Sequence, residues 1–203
     1  MGFFPINRPA RIAVMASGKG SNLNALIKAF PRDNKLGHVV LVISNRKRSG
    51  ALEKAIEDGI EGVYVPYRDS SYFESVVQNK LDRGKIDLIC LAGFMRILSP
   101  TFVTRYQGRI LNIHPSLLPS FPGVNAQKQA IEAQVDQAGC TVHFVDSGVD
   151  TGPKILQRCV EVYCTDNEET LTQRILQQEH LAYPEAVRRV LRGDYEDIVR
   201  GSV

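Results

Sequence analysis

The chain has 203 residues, of which 43% are hydrophobic, which is enough for one well-buried domain and short for two independent ones. Its 25 basic and 22 acidic residues give a formal net charge of +3, which fits small anionic ligands better than extended nucleic acid. Only 7% of the residues are aromatic and none is tryptophan, so a stacking platform for single-stranded nucleic acid is disfavoured.

The amino terminus and the cysteines predict a cytoplasmic protein. The first residues lack a basic segment followed by an apolar run, and no later stretch of about 18 residues is apolar throughout, so neither export nor a membrane span is expected. The cysteines lack CxxC spacing and lie in apolar, strand-like sequence, so we expect reduced packing residues and no metal site. They are Cys90, Cys140, Cys159 and Cys164.

Four apolar runs alternate with amphipathic segments through the first half of the chain. These predicted strands occupy residues 11–16, 38–44, 62–66 and 86–92. After the first run, hydrophobic residues recur at helical spacing, which predicts a first helix. A second helix is predicted from a cap at Ser49 to Gly59, and a third from a capping box of Ser71 and Glu74 to Gly84. Because apolar strands alternate with helices, we expect a parallel sheet covered on both faces, as in Rossmann-like folds.

The pattern changes in the second half. A fifth strand at residues 109–113 leads into HPSLLPSFPG, whose prolines predict an ordered loop, and a helix is predicted near residues 126–135. Two further runs, at residues 140–145 and 154–163, flank the polar stretch DSGVDTGP. They predict an antiparallel hairpin added to the parallel sheet.

A long last helix completes the predicted fold. Thr165 and Glu168 have capping-box spacing at its start, and Pro184 should break or kink it before Arg192. The predicted architecture is an α/β three-layer sandwich with a mostly parallel twisted sheet, an antiparallel C-terminal hairpin and a long C-terminal helix.

A glycine-rich turn follows the first strand, where open α/β sheets bind their ligands. It reads Ser17-Gly18-Lys19-Gly20-Ser21-Asn22. Glycine lets a ligand approach the backbone closely, and the start of the next helix offers free N–H groups to a phosphate. The turn has neither the Walker spacing nor the third glycine of a dinucleotide fingerprint, and a tight turn without a ligand is the alternative.

Two polar residues near the end of the fifth strand point to chemistry. Because side chains alternate along a strand, Asn112 and His114 share one face. An amide N–H can stabilise the oxyanion of a tetrahedral centre, and a histidine can carry the proton that such a centre gains or loses. The alternative is a structural histidine with satisfied hydrogen bonds.

The polar loop between the last two strands supplies a candidate carboxylate. Asp150 beside an imidazole would favour its protonated form and fix its orientation, although Asp146 and Asp150 could instead satisfy turn backbone. Ser116 fits a turn residue better than a nucleophile, and Cys140 is not required as one. We therefore expect direct transfer without a covalent enzyme intermediate.

Four segments in order resemble the phosphoribosylglycinamide formyltransferases of purine biosynthesis. They are SGKGSN at 17–22, LAGFMRILSP at 91–100, LNIHPSLLP at 111–119 and GCTVHFV at 139–145. The resemblance runs from residue 11 to residue 192. It implies that the amino group of glycinamide ribonucleotide attacks the formyl carbon of 10-formyltetrahydrofolate, which acts as co-substrate without a metal.

The resemblance also assigns site residues. It implies that Asn112 polarises the formyl oxygen, that His114 relays protons and that Asp150 supports the protonated His114. The residues implied for the acceptor's phosphate and ribose are Lys19, Gly20, Ser21, Asn22 and Glu179. Those implied for the folate are Met95, Arg96, Ile97, Leu98, Asn112, Val145, Asp146, Ser147, Gly148, Val149 and Asp150.

We expect a single formyltransferase domain over residues 1–203. Its phosphate-binding half spans about residues 11–108, and its catalytic and folate half spans about residues 109–192. The expected partners are the two small-molecule substrates, with no nucleic acid and no membrane, in a monomer or a homodimer.

The sequence departs from the family pattern at three places. Ser70 stands where many members have a basic residue that contacts folate, although Arg68 is nearby. Residues 124–128 read VNAQK where some members carry histidines, and Leu176 replaces a lysine that some relatives place near the phosphate.

Four other functions stay open at this point. Methionyl-tRNA formyltransferase and formyltetrahydrofolate hydrolase share the catalytic residues but usually carry an additional domain. An NADP-dependent oxidoreductase would use Arg46, Lys47 and Arg48 as a patch for the 2′-phosphate. A non-catalytic module that binds a phosphorylated ligand is the last alternative, because fold alone does not fix function.

Overall fold

The computed structural model describes residues 3–195. Within them, seven strands form one sheet in the order β3-β2-β1-β4-β5-β6-β7. The strands are β1 Ala10–Met15, β2 Gly37–Ser44, β3 Glu61–Tyr64, β4 Leu88–Leu91, β5 Ile110–His114, β6 Gln137–Phe144 and β7 Lys154–Glu161. The helices are α1 Ser21–Ala29, α2 Gly50–Glu57, α3 Ser70–Arg83, α4 Pro100–Arg105, α5 Ala126–Glu132 and α6 Glu168–Arg192.

The strand directions confirm the predicted mixed sheet. All pairs among β1 to β5 are parallel, whereas β6 is antiparallel to both β5 and β7. The chain runs outward from β1 through β2 to β3 and then returns to the other side of β1 as β4. Such a reversal creates a crevice at the carboxyl ends of β1 and β4, which is where doubly wound sheets bind ligands.

The core consists of one hydrophobic layer on each face of the sheet. Residues of β1 alternate between the layers: Ile12 and Val14 pack on one face, and Ala13 and Met15 on the other. The first layer is closed mainly by α1, α2 and α6, and the second by α3 and α4. Burial on both faces explains why these strands are apolar without interruption.

Two predicted capping boxes are wrong. Helix α3 is capped by Asp69, whose carboxylate accepts the Tyr72 N–H at 2.8 Å, while Glu74 instead accepts hydrogen bonds from the backbone and hydroxyl of Ser99. Helix α6 is capped by Asn167 together with Thr170. The predicted box of Ser71 and Glu74 is therefore replaced by the Asp69 cap, and the predicted box of Thr165 and Glu168 by the Asn167 and Thr170 cap. In each case a neighbouring residue is better placed to accept from the free N–H groups at the start of the helix.

Helix α6 continues through Pro184 to Arg192, so the predicted break is wrong. Proline removes one helical hydrogen bond. Burial of Tyr183, Ala186 and Val187, all fully inaccessible, offsets that loss. Tyr183 donates its hydroxyl towards the carbonyl oxygens of Leu91 and Leu111, which anchors the helix to β4 and β5.

The cysteines divide into two groups. Cys90 and Cys140 are buried packing residues, as expected, and burial raises the pKa of each thiol to about 12. Cys159 and Cys164 are exposed, so the expectation that they pack in the core is wrong. In the part of the chain that the structure describes, no helix is long and apolar enough to span a bilayer.

Candidate active site

The predicted site residues lie around the carboxyl ends of three neighbouring strands. The glycine turn follows β1, the segment that begins at Gly93 follows β4, and Asn112 and His114 lie in the last three residues of β5. The loop that joins β6 to β7 brings Asp150 to the same place. Four segments far apart in sequence therefore meet at one edge of the sheet.

Asp150 contacts both Asn112 and His114, the two residues that strand alternation predicted on one face of β5. Its Oδ1 atom lies 3.2 Å from the amide nitrogen Nδ2 of Asn112, and its Oδ2 atom lies 3.2 Å from Nδ1 of His114. The backbone N–H of Gly123 donates to Oδ2 at 2.9 Å. His114 is buried and the side chain of Asp150 is only 12% exposed, so these contacts lie largely out of water.

The surroundings of Asp150 favour its ionised form. Burial opposes ionisation, but polar neighbours, among them the Gly123 N–H and the ring of His114, hold the pKa of Asp150 below its ordinary value. Its backbone adopts φ of 56°, a left-handed conformation that is costly for a residue with a side chain. The loop therefore holds a charged carboxylate in a strained but well-anchored position.

Both ring nitrogens of His114 have acceptors. Nε2 lies 2.9 Å from the carbonyl oxygen of Phe121, and Nδ1 faces the carboxylate of Asp150. Because a carbonyl and a carboxylate only accept, both contacts are hydrogen bonds when both ring nitrogens carry protons. The arrangement thus suits the imidazolium form of His114, which is the form that can donate a proton.

His143 is a site residue that the sequence did not single out. Its Nε2 atom lies 3.3 Å from Asn112 Nδ2 and 3.4 Å from Asp150 Oδ1. In the antiparallel β5–β6 pair His143 lies directly opposite Asn112. Only the register of β6 on β5 could have identified His143 as a site residue. That register depends on pairing between distant strands and cannot be predicted from local spacing.

The residues predicted for the acceptor fall into an exposed turn and a buried pair. Lys19 is exposed, and Gly20 adopts φ of 81° with its Cα against Ala51, where a Cβ would come within 2.9 Å of the Ala51 Cα. Helix α1 begins at Ser21 without a side-chain cap, so its first N–H groups are open to an anion.

Asn22 and Glu179 form the buried pair. Asn22 donates from Nδ2 to Glu179 Oε2 at 2.7 Å, while the buried Oδ1 of Asn22 has no hydrogen-bond partner among residues 3–195. Burial raises the pKa of Glu179 to about 7, although the bond from Asn22 works against that shift. A buried amide oxygen without a partner is unusual, because buried polar groups are nearly always hydrogen-bonded.

The residues predicted for the folate are mostly at the surface. Met95 and Ile97 are 63% and 75% exposed, and the guanidinium of Arg96 stacks on the ring of Tyr67 at 4.4 Å. Leu98 differs because its side chain packs in the core. A contiguous apolar patch at the surface can mark a ligand-binding groove, whereas single exposed apolar residues are common.

The second folate segment is the loop from Val145 to Asp150. Asp146 accepts hydrogen bonds from the Gly148 N–H at 3.1 Å and the Thr151 hydroxyl at 2.7 Å, which closes the loop on itself. Ser147 and Gly148 are exposed, and Val149 is 51% exposed at the tip. Both predicted folate segments thus have exposed apolar side chains, and the second also contains Asp150.

Ser17, at the start of the glycine turn, joins the two regions. Its hydroxyl accepts the Met95 N–H at 3.0 Å and donates to Asn45 Oδ1 at 2.7 Å.

Ser70 stands where the resemblance would place a basic residue. Its hydroxyl lies 2.7 Å from the Tyr67 hydroxyl, and the nearby Arg68 stacks on the ring of Tyr72.

Residues 10–187 match the family model described as formyl transferase. Phosphoribosylglycinamide formyltransferase of Escherichia coli is 42% identical over 176 residues, which cover 85% of this chain and 83% of that protein. The trifunctional purine biosynthetic protein adenosine-3 of Drosophila melanogaster is 47% identical over 192 residues, which are 92% of this chain but only 14% of that protein.

Solved structures agree with these relatives. Glycinamide ribonucleotide transformylase 1 from Symbiobacterium toebii superposes with a TM-score of 0.87 at 43% identity, covering 93% of this chain and 90% of the other. The phosphoribosylglycinamide formyltransferase from Anaplasma phagocytophilum gives 0.86 at 43% identity, covering 90% and 87%. The predicted fold class is confirmed by these superpositions.

Proposed function

The chain belongs to the formyl transferase family, and we propose that it transfers the formyl group of 10-formyltetrahydrofolate to the amino group of glycinamide ribonucleotide. The observation that carries the proposal is the single carboxylate of Asp150, which contacts both the amide of Asn112 and the ring of His114. An amide donor and a proton carrier held by one charge are the groups that acyl transfer to an amine requires.

The reaction follows from these groups. The amine of the acceptor attacks the formyl carbon, a C–N bond forms, and the carbonyl electron pair moves to oxygen. An N–H of Asn112 and the imidazolium of His114 stabilise that oxyanion, with the substrate oxygen taking the place of the Phe121 carbonyl at Nε2. The electron pair on oxygen then re-forms the carbonyl, the bond from carbon to N10 breaks, and His114 gives its proton to N10 of the folate. The attacking nitrogen loses its extra proton, directly or through water, to His114, which restores the imidazolium. The products are the formylated nucleotide and tetrahydrofolate.

Asp150 contributes to these reaction steps through its negative charge. Because its pKa is held low, it remains ionised at neutral pH and stabilises the positive charge on His114. In the described residues no cluster of side chains is arranged to hold a metal ion, and none of the steps above uses one.

The acceptor fits the glycine turn and the buried pair. The uncapped start of α1 and the ammonium of Lys19 would hold a phosphate, and Asn22 with Glu179 would bind ribose hydroxyls. Since Leu176 offers no charge where some relatives have a lysine, phosphate binding rests on Lys19 and the helix start.

The folate fits the apolar surfaces. Met95, Ile97 and Val149 would contact the pterin and benzoyl rings, and Arg96 a carboxylate of the tail. Leu98 supports this surface from the core. The remaining predicted positions, Val145, Asp146, Ser147 and Gly148, would contribute loop backbone.

We also propose the broader setting. Residues 11–108 would supply most of the phosphate site, and residues 109–192 the catalytic centre and part of the folate site, within one domain that acts in the cytoplasm as a monomer or a homodimer. The terminal residues of the expected domain, 1–2 and 196–203, lie outside the described part of the chain.

An acceptor-resolved assay tests the proposal. Purified protein is mixed with 10-formyltetrahydrofolate and either glycinamide ribonucleotide, methionyl-tRNA or no acceptor, while tetrahydrofolate is followed by absorbance and formylated product by mass spectrometry. We expect product only with glycinamide ribonucleotide. Equal tetrahydrofolate formation without an acceptor would identify a hydrolase, formylated tRNA would identify the other transferase, and no turnover in any mixture would contradict the proposal.

A further inference from the structure

His143 contacts two of the three residues proposed for catalysis but has no role in the reaction as described so far. Its Nε2 atom, Asn112 Nδ2 and Asp150 Oδ1 form a triangle with sides of 3.2, 3.3 and 3.4 Å. The residue is 2% exposed, so water does not compete for these contacts.

A backbone contact defines the proton position on His143. Its Nδ1 atom lies 2.8 Å from the carbonyl oxygen of Phe144, which only accepts, so Nδ1 carries a proton. In the neutral ring Nε2 is therefore a lone pair, which accepts from the amide nitrogen of Asn112. The fixed tautomer turns a buried histidine into a hydrogen-bond acceptor facing the site.

The amide of Asn112 consequently has only one favourable orientation. With Nδ2 towards the triangle, one N–H points to Asp150 Oδ1 and the other to His143 Nε2. A flip of the amide would place its oxygen against a carboxylate and a lone pair, which is repulsive on both sides. The hydrogen bond to the charged carboxylate is the stronger of the two.

We propose that His143 is a positioning residue that keeps the amide nitrogen of Asn112 turned towards the site and holds one N–H until the formyl oxygen takes it. The inference rests on the proposed transfer reaction. The neutral bond to His143 is the one exchanged, because the bond to Asp150 is charge-assisted. The substrate then finds a donor already oriented, and such preorganisation is what makes an oxyanion site effective.

Three variants separate positioning from a structural role. His143→Phe keeps the ring and removes both nitrogens, His143→Gln restores an acceptor near the position of Nε2, and Cys140→Ala disturbs the buried opposite face of β6 as a matched control. We expect His143→Phe to lower kcat about tenfold, the value of one hydrogen bond of about 1.4 kcal/mol, with both KM values changed less than about threefold. His143→Gln should recover most of that loss, and Cys140→Ala should retain kcat.

A double-mutant cycle and an NMR measurement complete the test. In the Asn112→Ala background His143→Phe should have little further effect on kcat, since the group it positions is gone. In NMR spectra recorded without substrate, the side-chain amide protons of Asn112 should be protected from exchange with water in the parent protein and lose that protection in His143→Phe. A wild-type kcat in active His143→Phe, a full tenfold loss in the Asn112→Ala background, or unchanged protection of the Asn112 amide would each overturn the inference. The NMR measurement needs no turnover, so it judges the inference even if the transfer assay contradicts the proposed function.

Discussion

The Oδ2 atom of Asp150 and the Nδ1 atom of His114 lie 3.2 Å apart, although 36 positions separate them in the chain and they belong to a loop and a strand end. The contact is largely shielded from water, and Gly123 donates its N–H to the same oxygen. Because a charge in a dry site acts strongly on its neighbour, we expect this carboxylate to control the proton transfer that His114 performs in the reaction.

Replacement of Asp150 by asparagine tests that control. Asp150→Asn keeps the shape of the side chain and removes its charge, so the protonated form of His114 loses its counter-ion. We expect kcat to fall at least about a hundredfold, as for other lost proton-relay groups. Steady-state kinetics measure the loss, and circular dichroism shows whether the variant is folded. Glu132→Gln on the exposed surface of α5 removes one carboxylate elsewhere and should retain wild-type kinetics. A folded Asp150→Asn enzyme with near-normal kcat would remove Asp150 from the mechanism.

Asn112 is expected to act on the transition state and less on substrate binding. Asn112→Ala removes the proposed oxyanion donor, and loss of such a donor typically costs about a hundredfold or more in kcat. The KM values for both substrates should change far less, because the bond forms only as charge develops on the formyl oxygen. If instead KM rises and kcat is retained, Asn112 is a binding residue and the oxyanion is stabilised by another group.

Lys19 should affect the acceptor alone. It is exposed on the glycine turn and forms no ion pair with another described residue, so its charge is available to a phosphate. Lys19→Ala is expected to raise the KM for glycinamide ribonucleotide about tenfold, equivalent to about 1.4 kcal/mol, and to leave the KM for the folate unchanged. The effect should shrink at high salt. Lys35→Ala, an exposed lysine just before β2 at the opposite edge of the sheet, is the matched control. Equal effects of the two variants would exclude a specific phosphate contact at Lys19.

The parts of the fold that local pattern predicted are those that burial alone determines. Strands β1, β2 and β4 are buried on both faces, so their sequences are apolar runs that stand out without knowledge of the partner strand. Helix α4 was not predicted because its six residues are too few to show a helical period. The capping role assigned to Glu74 failed because Ser99, 25 positions away, takes its hydrogen bonds. Such a tertiary contact leaves no mark on local spacing.

In the candidate site, too, some residues could be predicted from local pattern and others depend on contacts between distant segments. Asn112 and His114 were found from strand alternation, and the four ordered motifs predicted the family, which is confirmed by the match over residues 10–187. His143 was missed because it enters the site through the register of β6 on β5. The buried state of Glu179 could not be predicted either, since its burial arises where α6 packs against α1 and β6.

Glu179 should make stability depend on pH. Burial raises its pKa to about 7 in the folded protein from an ordinary value of 4.5, so the folded state binds a proton more tightly than the unfolded chain. The resulting stabilisation is complete below about pH 4.5 and is lost as the pH rises to about 7. A shift of this size corresponds to about 3 kcal/mol. Above pH 7 the folded protein therefore holds a buried carboxylate at a cost, which only the Asn22 N–H opposes among its described partners.

Glu179→Gln removes this dependence and keeps an oxygen for the Asn22 bond. We expect the unfolding free energy of the variant to exceed that of the parent protein at pH 8, by up to about 3 kcal/mol, and to equal it near pH 4.5. Urea unfolding at several pH values measures both curves, and contributions from other groups cancel in their difference. The exposed Glu132→Gln serves as the control and should give a curve parallel to that of the parent protein. The variant should also bind glycinamide ribonucleotide more weakly, because a neutral amide is a poorer acceptor for ribose hydroxyls than a carboxylate. A stability gain at pH 8 together with a higher KM for the acceptor would mean that the buried charge destabilises the fold and is retained for the substrate. If the unfolding free energies of Glu179→Gln and the parent protein instead ran parallel with pH, Glu179 would ionise normally in the folded protein.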